Sequence, residues 1–113
     1  MNYEFVTYPT FIRELKRLSK RYISLKKDLE RLEEELHKNP HLGTDLGNGF
    51  RKIRLAISAK GKGKRGGARV ITFTIIVSAQ QTTVGLIYIY DKSESENITN
   101  KELRELMRRN GLL

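Results

Sequence analysis

A chain of 113 residues, 38% of them hydrophobic, fits one domain over residues 1–113 that buries roughly two thirds of its unfolded surface, and it leaves no room for a separate cofactor domain. No cysteine is present and only His37 and His41 supply imidazole, which excludes disulfides and thiolate zinc sites and points to no metal and no cofactor. With 22 Lys and Arg against 13 Asp and Glu the formal charge is +9, so a polyanionic partner is expected, nucleic acid first and an anionic membrane second.

In chain order, Tyr3 to Thr7 alternates as a short first strand, and Pro9-Thr10 opens a helix with Thr10 as the expected N-cap. Phe11, Leu15, Leu18 and Tyr22 recur at spacings of 4, 3 and 4, while Arg13, Lys16, Arg17 and Lys20 fall on the other face. Ser24 restarts the pattern with Leu25, Leu29, Leu32 and Leu36. Two amphipathic helices packed as a hairpin follow from this, their stripes serving as core because the seam is too short for a coiled coil. Asn39-Pro40 and the run from Gly43 to Gly49 then read as a loop.

From Phe50 the period becomes two, with Ile53, Leu55 and Ile57 on one face and Lys52, Arg54 and Ala56 on the other. After a glycine and lysine loop, Ala68 to Val77 and Thr83 to Tyr90 are rich in β-branched and aromatic residues and read as two further strands, completing an antiparallel meander. Thr99 with Glu102 three residues on is a capping-box pattern, and Leu103, Leu106 and Met107 give the inner face of a last helix stopping near Gly111. The order βααβββα, with about four strands in a mostly antiparallel sheet, is an α+β fold.

Eight cations lie between Arg51 and Arg69 with no acid among them: Arg51, Lys52, Arg54, Lys60, Lys62, Lys64, Arg65 and Arg69. Such a run in a loop is often only solvated, but strand positions are held in place, and Lys52, Arg54 and Arg69 are on strands. Gly61, Gly63 and Gly66 match G-x-G-x-x-G, yet the segment that follows is a strand, so no dinucleotide site is expected, and Gly67-Ala68 after Gly66 fails the phosphate-loop pattern. What remains is a flexible basic loop whose backbone can approach phosphates. His37 and His41 flank Asn39-Pro40, away from the cationic strands, and suit a surface or capping role; Tyr88 and Phe73 suit the core.

The stretch NPHLGTDLGNGFRKIRLAISAKGKGKRGGARVITF and the later IYIYDKSESENIT, in that order, with two helices before and one after, resemble HigB-type toxins of the RelE/ParE superfamily over nearly the whole chain. The resemblance implies a cytoplasmic type II toxin that enters the ribosomal A site and cuts mRNA there. It also implies a cognate antitoxin, carrying a helix-turn-helix, that holds the toxin inactive. The family's active cluster falls by position on Lys52, Arg54, Arg69, Tyr90 and Lys92, with Arg51, Lys60, Lys62, Lys64 and Arg65 as further RNA contacts. No apolar run approaches the ~18 residues of a membrane span, and MNYEFVTYPTF lacks the order of a signal peptide, so no membrane partner is expected.

RNA carries its own nucleophile, the ribose 2′-OH, so cleavage needs a base, stabilisation of the phosphate charge and an acid for the 5′ oxygen, without a metal. Arg54 and Arg69 suit the phosphate because a planar guanidinium offers paired hydrogen bonds. Lys52 is a candidate base, and Tyr90 or Lys92 a candidate acid or stacking partner. Two other readings stay open on the sequence: a gyrase-directed toxin on the same fold, and a non-catalytic RNA-binding module.

Overall fold

A computed structural model of the chain describes residues 2–112. Its elements run β1 (Asn2–Thr7), α1 (Pro9–Arg21), α2 (Leu25–Lys38), β2 (Thr44–Gly47), β3 (Phe50–Leu55), a 3-10 turn (Ser58–Lys60), β4 (Ala68–Ile76), β5 (Gln81–Asp91) and α3 (Asn100–Arg109). The strands form one sheet in the order β1-β5-β4-β3-β2. β5 pairs parallel with β1 and antiparallel with β4, and the pairs β4/β3 and β3/β2 are antiparallel. The α+β architecture expected from the period changes is the one observed.

The sheet is covered on both faces. Phe11 and Leu18 of α1 and Leu25, Leu29, Leu32 and Leu36 of α2 pack with Ile53, Leu55, Val70, Leu86 and Ile89 in the larger core. On the other face Phe50, Ile71, Ile87 and Tyr90 pack with Leu106 of α3, with Tyr88, Phe73, Leu103 and Met107 around them. Each fully buried Leu or Ile contributes roughly 1.5–3 kcal/mol, so the helix stripes read from the sequence hold the helices down. β5 lies between two strands and under helices on both sides, which explains its long run of buried residues. No described helix is long and apolar enough to cross a membrane.

The fold differs from expectation in three places. The segment read as a loop contains a fifth strand, β2, because Gly47 (φ +89°), Asn48 (φ 54°) and Gly49 (φ +86°) make the turn that folds it back on β3. The turn residues were visible, but a strand of four residues with two exposed glycines nearby carries no hydrophobic alternation. Thr10 is not the N-cap: Tyr8 holds that position, and the buried Thr10 hydroxyl donates to the Ile87 carbonyl at 2.5 Å, tying α1 to β5. Ile87 itself lies at a register shift, since Ile71 pairs with Tyr88 and Thr72 with Leu86. Finally, the strand expected to reach Ile57 stops at Leu55, and Ile57 is instead the N-cap of the 3-10 turn that begins at Ser58. The capping box of α3 is present, with Glu102 N–H donating to Thr99 Oγ1 and Thr99 N–H to Glu102 Oε1, both at 3.1 Å.

Gly67 brings the basic loop against β3: a Cβ placed there would lie 2.0 Å from the Leu55 carbonyl oxygen and 2.9 Å from the Ile57 nitrogen. Backbone atoms cannot rotate away as a side-chain tip can. We expect Gly67→Ala to lower the urea midpoint by an amount corresponding to roughly 1–3 kcal/mol or more. A variant as stable as the wild type would show that the loop does not approach β3 this closely.

Candidate functional site

Strand register decides which cations meet. Arg54 pairs with Arg69, and Arg69 with Tyr90, so these three lie in one row across β3, β4 and β5 on one face. Lys52 pairs with Ile71 one step along, and alternation puts it on the same face as Arg54. Lys92 follows the end of β5, where its ammonium donates to the Glu96 carbonyl at 2.6 Å. Four of the five expected site residues therefore share one face of the sheet, Arg69 and Tyr90 buried on it and Lys52 and Arg54 more open, and the fifth follows the end of β5.

None of Lys52, Arg54 and Arg69 is paired with a carboxylate among the described residues. Lys52 Nζ donates to Asn97 Oδ1 at 2.8 Å. Arg54 is exposed and has no hydrogen bond or ion pair there. Arg69 is 5% exposed, and its guanidinium donates to three carbonyls: Lys64 at 3.2 Å, Ala68 at 3.0 Å and Arg65 at 3.1 Å. Burial, and then the charge of Arg54, push the Arg69 pKa below the ordinary value, yet a guanidinium stays charged at neutral pH. Two of its five N–H groups remain for a ligand. The Tyr90 hydroxyl is buried with no hydrogen-bond partner among the described residues; burial pushes its pKa up, against the pull of Arg69, so the phenol keeps its proton.

A hollow of about 250 Å³ opens beside the row, lined by Lys52, Arg54, Lys64 and the Leu42–Thr44 segment. The larger concavity, about 540 Å³ between Tyr88 and α3, mixes Glu102 and Glu105 with Lys101 and Arg109, so it gives an anion no comparable advantage.

The expected further RNA contacts divide. Lys62 and Arg65 are exposed on the loop, and Lys64 is exposed with Glu35 3.2 Å away. Arg51 belongs with Ile53 and Leu55 on the opposite side of β3, where it donates to the His41 carbonyl at 2.9 Å. Lys60 is turned inward: only 9% of its side chain is exposed and its ammonium lies 2.5 Å from Asp91 Oδ1. Lys60 is thus committed to Asp91, and Arg51 lies away from the row. His37 and His41 are exposed and away from the row, His37 packing edge-on against Phe5 at 4.6 Å. Phe73 stacks on Phe50 at 4.5 Å, and Tyr88 borders the same core.

Comparison with known proteins agrees with the geometry. The family model described as RelE toxin of RelE / RelB toxin-antitoxin system matches residues 10–111. The chain belongs to the RelE toxin family. Among solved structures, an E. coli toxin RelE mutant in the free state matches with a TM-score of 0.59 and 17% identity, covering 96% of this chain and 98% of that one. At that identity the likeness is one of fold. Membership in the RelE family makes this chain the toxin of a toxin–antitoxin pair, with an antitoxin as its partner.

Sequence reasoning missed Asp91, the group that sets the shape of this RelE-family site. It has no exposed surface and accepts from Lys60 Nζ at 2.5 Å, Tyr22 Oη at 2.6 Å, Ser93 N at 2.9 Å and Ser93 Oγ at 2.8 Å. Burial alone would push its carboxyl up; the hydrogen bonds from Lys60, Tyr22 and Ser93 outweigh that and hold it well below the carboxylate range. Lys60 also donates to the Gly66 carbonyl at 3.1 Å, and the same loop supplies the Lys64 and Arg65 carbonyls that hold Arg69. Asp91 thus sets Arg69 through Lys60 and the loop. The one available signal was an acid ending a hydrophobic strand directly before Lys92 and Ser93.

Removing the ammonium in Lys60→Met leaves Asp91 charged and buried, and should cost about 3–5 kcal/mol in urea unfolding, with Lys60→Met/Asp91→Asn losing less than the two single changes added. Because the folded pKa is depressed, the contribution of Asp91 is complete above the unfolded value of about 3.9 and drains as pH falls below it. The stability gap between wild type and Asp91→Asn should therefore narrow from about pH 4 downward. A gap that stays constant between pH 6 and pH 2.5 contradicts this account.

Proposed function

We propose that this toxin is a metal-independent endoribonuclease that cuts mRNA in the ribosomal A site and so stops translation, as its HigB-like motifs suggest. The observation that carries the reading is the row Arg54, Arg69 and Tyr90, with Lys52 beside it, on one face and without carboxylate partners among the described residues. In the reaction a base takes the 2′-OH proton, O2′ bonds to phosphorus, and the bond from phosphorus to O5′ breaks as an acid protonates O5′. The products are a 2′,3′-cyclic phosphate and a 5′-OH.

Arg54 and Arg69 meet the extra charge on the phosphate, the exposed arginine by moving to it and the buried one by being already fixed. The proton transfers fall to Lys52, Tyr90 and Lys92. Tyr90 has a proton to give and no partner for it among the described residues. Its position next to Arg69 suits the leaving oxygen or a hydrogen bond to the phosphate. A helix-turn-helix antitoxin that covers this face would silence the toxin by burying the row.

The test is induced expression with primer extension on a reporter mRNA, comparing wild type with Arg54→Ala and Arg69→Ala. Loss of one transition-state donor should slow cutting on the order of 10²- to 10³-fold, while ribosome association falls far less. A variant that loses association and cutting in step, in a salt-sensitive way, is the behaviour of a binder without catalysis. DNA damage with intact mRNA is that of a gyrase-directed toxin.

Tyr90→Phe separates stability from activity. Deleting a buried hydroxyl that has no partner removes a desolvation penalty of about 1–3 kcal/mol, so the variant should unfold at equal or higher urea. It should cut more slowly. A Tyr90→Phe protein that cuts at the wild-type rate removes Tyr90 from the reaction.

A further inference from the structure

The link between α1 and α2 has a composition that the site does not use. From Lys20 to Lys27 the chain carries four cations, Lys20, Arg21, Lys26 and Lys27, and no acid. In their midst Ile23 is 95% exposed. Lys20, Lys26 and Lys27 are exposed and have no hydrogen bond or ion pair among the described residues. The next acid, Asp28, is buried and accepts from Ser24 Oγ at 2.8 Å and Ser58 Oγ at 2.6 Å, and Arg21 lies 3.8 Å from both Asp91 and Glu94, which leaves Lys20, Lys26 and Lys27 as the tip's unpaired cations. Ser, Asn and Gly serve such a link through their own hydrogen bonds or backbone freedom, whereas an isoleucine there does nothing for this chain.

The tip is fixed at the same end of the fold as the cation row. Tyr22 Oη donates to Asp91 at 2.6 Å, and the Ala59 amide donates to Ser24 Oγ at 2.9 Å. Exposed cations therefore lie on the face bearing Arg54, on the loop bearing Lys62 and Arg65, and on the helix tip. A single strand lying across the row meets only the first of these; a folded RNA enclosing this end meets all three.

We propose that the α1–α2 tip is a second RNA-binding surface, in which Lys20, Lys26 and Lys27 take backbone phosphates of a folded RNA and Ile23 packs against an unstacked base. The proposal rests on the reading above for the choice of RNA, and deepens it by separating the surface that docks from the row that cuts. A bilayer suits the tip poorly, because one isoleucine is a small anchor and its aromatic neighbour Tyr22 is tied inward to Asp91.

The test is binding of the full-length protein to ribosomes and to protein-free ribosomal RNA across a salt series. The variants are Lys20→Gln/Lys26→Gln/Lys27→Gln, Ile23→Ser, and a charge-matched control on α3, Lys101→Gln/Arg104→Gln/Arg109→Gln; every substituted residue is exposed. With about 0.9 in the slope of log affinity against log salt for each duplex phosphate contact, the tip triple should lower that slope by about 2 to 3 and the control by far less. Ile23→Ser should weaken binding on the order of tenfold with the slope unchanged. The proposal is overturned if the tip triple keeps the wild-type slope, or if tip and control fall equally. It is also overturned if Ile23→Ser abolishes capture by phosphatidylglycerol vesicles and leaves RNA binding intact. A wild type that binds ribosomal RNA through the tip yet cuts no mRNA overturns the nuclease reading and upholds this one.

Discussion

Asp91 ends the most buried strand of the sheet with no exposed surface, where an unpaired carboxylate costs several kcal/mol in lost hydration. Lys60, Tyr22 and Ser93 meet that cost from three different parts of the chain, and each is thereby fixed in place. Against a well-packed apolar substitute such an ion pair gains little net stability. Its effect is positional: it sets the basic loop relative to β5 and the α1–α2 link relative to both. Because the loop's carbonyls in turn hold Arg69, the placement of one buried charge depends on another.

That dependence explains which parts of the site were legible in the sequence. Lys52 and Arg54 could be placed because β3 alternates strictly and its apolar face, Ile53 and Leu55, is unmistakable; once the face is known, the cations are assigned with it. Arg69 could be placed because it opens a strand of the same kind. The logic fails at Lys60, five residues past Leu55, where the alternation has ended and nothing in a run of glycine and lysine distinguishes an ammonium in solvent from one buried on a carboxylate. Asp91 was hidden for the complementary reason, since two of its partners come from the distant positions 22 and 60, which no local spacing links to it. Arg51 was placed with its neighbours by charge, when alternation already assigned it to the other side of β3.

The row itself works against stability. Arg54 and Arg69 stand directly opposite one another on adjacent strands, an arrangement of like charges that costs roughly 0.2–1 kcal/mol, and the Tyr90 hydroxyl beside them is buried without a partner. A chain selected for stability alone would have a carboxylate or an apolar residue at one of these positions. The two cores on either side of the sheet offset the penalty, and Phe50, Ile71 and Leu106 lie close enough to keep the row rigid without neutralising it. Local rules broken at one place, amid consistent packing elsewhere, are the pattern expected where residues serve a ligand.

The manner in which Arg69 is held carries the argument one step further. Three carbonyl oxygens fix its guanidinium as firmly as a carboxylate would, but a carbonyl is a dipole and leaves the unit charge uncancelled. A carboxylate partner would position the group and remove the attraction it exerts on a phosphate. The same distinction holds for Lys52 on the Asn97 amide oxygen and for Lys92 on the Glu96 carbonyl. Several other described cations do have carboxylate partners: Lys60 with Asp91, Arg17 with Glu14 and Glu94, Arg108 with Glu105. In this row position is thus achieved without neutralisation, and an anion arriving there supplies the charge that the protein withholds.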